Sequence, residues 1–219
     1  MNDINEHPTT AVAESGYSPR ERGLLRRDRF LDAATEVFMQ HGFEAASLQE
    51  IVSRAGGSLA TLYRLFGNKE GLFQAVIDRR SGNMLAQLDL PHMGGIDPQT
   101  VLFNVGMRFV DVVLSPDVLS LHRLLVAECG RNPRLREIFM TVAPERSTRA
   151  LEDYLETQVI SGRLQLEDCS LAAMQFLNML KGNYHMRGLL GEVVDMPYAE
   201  RQRVVTHAVN LFLRGCQRS

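Results

Sequence analysis

The sequence is poor in cysteine, and it lacks long apolar runs and recognisable catalytic motifs; each shortage excludes a class of protein. Cys129, Cys169 and Cys216 are odd in number, far apart and without a CxxC pair, so neither a disulfide framework nor a zinc site is expected. Cys169, just behind Asp168 at an expected helix start, is either a redox sensor or an inert structural thiol. No stretch approaches the roughly 18 to 20 apolar residues that a membrane span needs, and no membrane role is expected. The first residues contain no apolar core of the kind a secretory signal requires, so the expected location is the cytoplasm, with reduced thiols. A Gly-rich phosphate loop, a GxSxG elbow and an HExxH pair are all missing. The histidines, at 7, 41, 92, 122, 185 and 207, are too scattered for metal-ligand spacing. Neither catalysis, a metal nor a cofactor is expected.

What is present is an ordinary globular composition, 45% hydrophobic and 23% charged, in a 219-residue chain long enough to bury a real core. The net charge of −2 is unpromising for binding nucleic acid, but its distribution is uneven. Residues 17 to 80 carry ten Lys/Arg against eight Asp/Glu, and Arg20, Arg22, Arg26, Arg27 and Arg29 crowd together. Such a cluster is equally the solvated face of a helix, so the function must be read from arrangement.

Residues 1–18 have no apolar period and are expected to form a mobile tail. From Pro19 to His41, Phe30, Ala33, Ala34, Val37 and Phe38 recur at three- and four-residue steps, the mark of a helix with one buried face, and Gly42 is its expected stop. Ser47 and Glu50 have capping-box spacing, followed by the stripe Leu48, Ile51, Val52, Ala55 and the stop Gly56-Gly57. Ser58 can cap a further short helix through Phe66, and a fourth is expected from Lys69 toward Leu88. Residues 90–98 are rich in helix breakers and predict a loop. Helices are expected over 98–114, 116–129, 133–142, 144–161, 168–190 and 197–215, with no β-alternation or internal repeat. The fold class is therefore all-α: an N-terminal three-helix head over 19–80, including the start of the linking helix, joined to a C-terminal helical bundle over 81–219.

Two short helices separated by Ala55-Gly56-Gly57-Ser58, behind a longer helix, have the make-up of a helix-turn-helix, whose second helix can enter a major groove. Residues 30–76 resemble the N-terminal domain of the TetR family through Ala33-Ala34, Phe38, Gly42-Phe43, Ile51, Ala55-Gly56, Ser58, Thr61-Leu62-Tyr63, Phe66, Lys69-Glu70 and Leu72-Phe73. The resemblance implies a homodimeric transcriptional regulator that binds double-stranded operator DNA. It also implies phosphate contacts from Tyr63, Lys69 and Ser47, with a core aromatic as the alternative for Tyr63 and a simple cap for Ser47. Ser58, at the turn, is also an expected DNA contact, and Thr61 and Arg64 lie on the side of the wheel suited to base edges. Three positions depart from the family pattern: Gly57 replaces a usual valine, Leu59 a usual Lys or Arg, and Leu65 a usual His. Gly57 is expected to loosen the turn, and Leu59 either joins the buried side with Leu62 and Phe66 or meets a thymine methyl.

The C-terminal body is similar to the AefR-like branch through Leu124-Leu125-Val126-Ala127-Glu128, Asn132-Pro133-Arg134-Leu135, Gly162-Arg163-Leu164 and Ala172-Ala173-Met174-Gln175-Phe176-Leu177. That branch's plan implies dimerisation through the last two long helices and a small-molecule effector cavity between the others, in a ligand-responsive repressor. Helix 168–190 reads as apolar almost all round, with Gln175, Asn178, Gly182 and His185 on one stripe facing a dimer partner, buried water or an effector. Candidate effector contacts are Phe103, Met107, His122, Met140, Phe176 and Met179; each is also readable as ordinary core. A helical adaptor that binds only proteins would keep this bundle but would not need Tyr63, Arg64 and Lys69 on one exposed surface.

Overall fold

A computed structural model describes residues 18–81 and 90–216. The expected tail, apart from Ser18, and the stretch of the fourth helix beyond Ser81 lie outside the described residues. Among the described residues all regular structure is helical. The head comprises α1 (Pro19–Ala45), α2 (Leu48–Ala55), α3 (Leu59–Phe66) and α4 (Lys69–Ser81). After a short 3-10 turn at Leu90–Met93, the body comprises α5 (Pro98–Val113), α6 (Pro116–Cys129), α7 (Pro133–Met140), α8 (Arg146–Ile160), α9 (Cys169–Leu189) and α10 (Tyr198–Gly215).

Local chemistry sets most of these boundaries. The Ser58, Asp97, Ser115, Asn132 and Asp168 side chains each accept an N–H in the first turn that follows them, and Pro98, Pro116 and Pro133 occupy first helical positions, where no donor is needed. Gly42 ends the regular part of α1 at φ 78°, as expected, with Glu128 of α6 packed where a side chain would point.

Three expectations need correction. The capping box of α2 is only half formed: Ser47 accepts from Glu50 N at 3.4 Å, but the Glu50 carboxylate is taken by Arg54 at 2.5 Å and lies 3.5 Å from His41. The full box is at α1, where Ser18 N donates to Glu21 at 2.7 Å and Glu21 N donates to the Ser18 hydroxyl at 3.3 Å. Pro144 does not start a helix; α7 runs into α8 through a π-helical turn, Thr141–Glu145, whose wider coil takes the proline that a regular turn would reject. Nor is 168–190 one straight helix, because Gly182 (φ 49°, ψ −146°) breaks α9 and disrupts the stripe from Gln175 to His185.

The buried side chains form two clusters. One joins α5, α8, α9 and α10, with Leu102, Val105, Tyr154, Phe176 and Val205 among its fully buried members. The segment leading into α5 is tied to it: Leu90 is buried, and the buried Gln158 amide and the Arg163 guanidinium both donate to Gly94 O. The other holds the head helices together through Phe30, Phe38, Ile51, Leu62 and Phe73 and continues without interruption into Leu121 and Leu125 of α6 and Leu135 and Ile138 of α7. Helices α6 and α7 therefore pack as part of the head's core. Polar contacts cross the same seam: Arg80 pairs with Asp117, Asn132 Nδ2 donates to Glu44 at 2.8 Å, and Arg146 of α8 reaches Asp78 at 2.5 Å.

Candidate nucleic-acid interface

The turn between α2 and α3 is built by Gly56 in the left-handed region at φ 69° and by Ser58, whose hydroxyl accepts from Thr61 N at 3.2 Å. The expected loosening at Gly57 is not what the structure shows. The Phe30 ring lies 2.5 Å from where a Cβ on Gly57 would stand, so glycine lets α1 close tightly under the turn. Phe30 meets Phe66 edge-to-face at 6.2 Å, and Arg27 covers the outer face of Phe66. This packing holds α3 with Leu62 fully buried and one side outward.

On that outward side Tyr63 is 50% exposed, which excludes its reading as a core aromatic, and Arg64 and Ala60 are exposed beside it. Leu65 is also exposed, whereas Leu59 and Thr61 are half-buried. Leu59 thus lies between its two readings, partly buried and partly in solvent. The Thr61 hydroxyl is within 3.0 Å of that of Ser58. Ser47 is exposed at the start of α2 as its cap.

Lys69, at the start of α4, is more engaged than its spacing suggested. Its Nζ donates to Glu44 O at 2.9 Å and lies 4.9 Å from the centre of the Phe43 ring. Partial burial lowers its pKa, against the opposing pull of Glu44, Glu70 and Glu128. Asn68 caps α4 by accepting from Gly71 N at 2.7 Å. Arg20, Arg22 and Arg26 are exposed along the first turns of α1. Sequence reasoning assigned no role to Asn68 or to Arg54, which joins α2 to α1 through Gln40 at 2.7 Å and Glu36 at 3.4 Å. The Asn-x-x-Gly spacing is a visible signal for the first; for the second only the i,i+4 pair with Glu50 is local, and its contacts to α1 are not.

Residues 30–76 match the profile of the bacterial regulatory proteins of the TetR family, and residues 100–216 that of the AefR-like transcriptional repressor C-terminal domain. The chain belongs to the TetR family. It is similar to the HTH-type transcriptional regulator YvkB of Bacillus subtilis, 27% identical over 191 residues, covering 85% of this chain and 95% of that protein. It is 55% identical over 71 residues, 32% of each chain, to the HTH-type transcriptional repressor ComR of Escherichia coli. The flavonoid-responsive regulator FrrA superposes with a TM-score of 0.74 at 28% identity, covering 88% of this chain and 97% of FrrA. This TetR-family protein is a transcriptional regulator with a helix-turn-helix DNA-binding domain, and these relatives are regulators rather than enzymes. No helix among the described residues is long and apolar enough to cross a membrane.

In the body of this TetR regulator the candidate effector contacts fall into different settings. Phe176 is fully buried against Phe212 at 5.1 Å, with Phe103 and Met107 packed on the same cluster. Met140 and Met179 are exposed, at 42% and 38%. His122 meets neither group: its Nδ1 lies 2.9 Å from His185 Nε2 across the contact of α6 with α9, edge-on to Phe139. Burial above all, then His185 and Lys181, holds the pKa of His122 down to about 4. A residue absent from the candidates is Tyr154, buried in the first cluster; its hydroxyl finds no hydrogen-bond partner among the described residues, and burial pushes its pKa up to about 12. Cys169 keeps its proton, because burial and Glu156, Glu152 and Asp168 raise its pKa; that favours the inert thiol over the redox sensor.

Proposed function

We propose that this TetR-family protein is a ligand-responsive repressor: a homodimer grips a palindromic operator with its two α3 helices, and a small apolar or amphipathic effector in the helical body releases it. The observation that carries the reading is the outward face of α3, where Tyr63 and Arg64 stand exposed on a helix rigidly backed by Phe30, Leu62 and Phe66. Tyr63, Lys69 and Ser47 serve phosphates, Thr61 and Arg64 base edges, Leu59 a thymine methyl, and Ser58 the turn that sets their register.

Dimerisation is supported by α9 and α10, which pack on one another and expose Leu171, Met174, Met186, Tyr198 and Leu211. Apolar side chains grouped along two helices call for a covering partner, and a two-fold copy supplies the same surface in return. A two-fold dimer also presents two α3 helices at the fixed spacing that a palindrome requires. The effector reading draws on Tyr154, a buried hydroxyl suited to a polar group on an otherwise apolar ligand, and on the flavonoid response in FrrA's name. Release requires a ligand that prefers the conformation that does not bind DNA.

The test is a mobility shift with the DNA upstream of the chain's own gene, beside sedimentation at micromolar concentration. The expected result is a retarded complex from a species of twice the chain mass. Absence of specific binding over a range of salt, or a monomer that still binds the operator, would overturn the reading.

A further inference from the structure

A cleft of about 130 Å³ opens at the seam between the head and α6. Its floor is apolar, made by Phe38 of α1, Val76 of α4 and Leu121 of α6, each at most 3% exposed. Arg80 and Asp117 face one another across its rim as an ion pair, with Ser120 beside them. The volume is comparable to that of apolar cavities of about 150 Å³ that take up benzene.

The rim determines which ring would fit. The Ser120 hydroxyl accepts from Arg123 Nη2 at 2.7 Å, which leaves its own proton to donate inward. Arg80 offers a fork of five N–H donors, more than the single Asp117 carboxylate can use, and its side chain is only 24% exposed. Thr35 at the wall spends its proton on Leu31 O at 2.7 Å, and Met39 adds an adaptable apolar edge. The cleft thus combines an apolar floor with two donors, one of them cationic. We propose that it is an effector site for a single-ring aromatic carboxylate, with the ring on Phe38, Val76 and Leu121 and the carboxylate on Arg80 and Ser120.

This site is separate from the effector cavity ascribed to the body above. It spans elements of both sides: α1 and α4 carry the DNA-reading helix, whereas α6 belongs to the C-terminal segment. An occupant bridges them and exchanges the Arg80 to Asp117 pair for its own contact, so it biases how the head sits on α6. The regulatory consequence rests on the operator-binding reading; the binding of the ring does not.

Asp117 competes for Arg80 and is 74% exposed, so its removal is structurally mild and gives a prediction of opposite sign to removal of the arginine. The test is calorimetric titration of the full-length protein with benzoate, benzyl alcohol and benzylamine. Benzoate is expected to bind with a Kd on the order of 1 mM or tighter, as suits so small a ligand, and about tenfold more tightly than the alcohol or the amine. Asp117→Asn should tighten benzoate by about threefold or more, and Arg80→Met should weaken it by about tenfold or more. Saturating benzoate should change operator affinity at least about threefold in the parent and not in Arg80→Met. No binding at about 10 mM, equal binding of the three probes, or indifference to both substitutions would overturn the site. Benzoate binding that leaves operator affinity unchanged would overturn its effector role while operator binding stands. An absence of operator binding without benzoate would instead be a failure of the earlier reading.

Discussion

The two buried clusters differ in what they join. The first is built only from the C-terminal segment, with the connection at Leu90 tucked into it, whereas the second begins in the head and ends in α6 and α7. The difference teaches that the mechanical division of this regulator does not coincide with the linkage through α4. It runs inside the C-terminal segment, between α6 and α9, where His122 faces His185 at 2.9 Å and Arg123 Nη1 donates to Gly188 O at 2.8 Å. Under the effector response proposed above, a displacement of α9 would reach the head through these contacts and α6. The polar seam at Arg80, Asp78 and Glu44 adds little energy at such exposed sites.

The sharpest way to break this comparison is to delete methylenes on either side of it. Leu125→Ala and Leu155→Ala each remove a fully packed side chain, one from each cluster, and each should cost about 2–5 kcal/mol in urea unfolding. Hydrogen exchange distinguishes them: Leu125→Ala should speed exchange in α1 and α4, and Leu155→Ala in α9 and α10. If Leu125→Ala left α1 and α4 as protected as in the parent, α6 would not be part of the head's core.

Much of this organisation could be read in advance, and the reasons are local. Helix starts were legible where a Ser, Asp or Asn cap precedes a proline or an apolar stripe, as at Ser58, Asp97, Ser115 and Asp168. The exposed Tyr63 and Arg64 followed from placing a familiar string on a short helix. What escaped depends on partners far away in the chain. Glu50 has cap spacing but prefers the cation of Arg54, and Gly57 is explained only by the Phe30 ring. The His122 to His185 pair joins residues 63 apart, and no periodicity carries such a contact. Pro144 reads as a helix start and Gly182 as part of a polar stripe, yet the first sits in a π-turn joining α7 to α8 and the second kinks α9.

Acid probes the joint between the clusters with a somewhat smaller effect. His122 titrates at about 4 in the folded chain against 6.5 unfolded, so between those values the unfolded chain binds more protons. Its contribution to stability is complete above pH 6.5 and is lost as pH falls toward 4; His185 shifts in the same direction through burial, and Lys181 opposes a charge on either ring. From pH 7.5 to 5.0 this amounts to about 2 kcal/mol. Unfolding measured at both values should show the loss in the parent and most of it absent in His122→Asn. Equal pH dependence in the two proteins would place the titration elsewhere.

The smallest expected effect sharpens the head's side. Lys69 divides its ammonium between Glu44 O and the Phe43 ring, so Lys69→Ala should lower the head's stability by about 1 kcal/mol and reduce the salt slope of operator binding by about one unit. Fluorescence anisotropy at several salt concentrations reads the slope, and thermal unfolding reads the stability. A slope identical to the parent's would leave Lys69 with the structural role alone.

The DNA contacts proposed for this regulator concentrate on the outward face of α3. The decisive measurement is operator affinity of the double variant Tyr63→Phe/Arg64→Ala against the parent, with thermal unfolding of both. Both residues are exposed, so the variant should unfold within a few degrees of the parent, yet lose about 30-fold or more in operator affinity as a phosphate and a base-edge contact disappear. Undiminished affinity in a folded double variant would contradict the assignment of α3 as the DNA-reading helix.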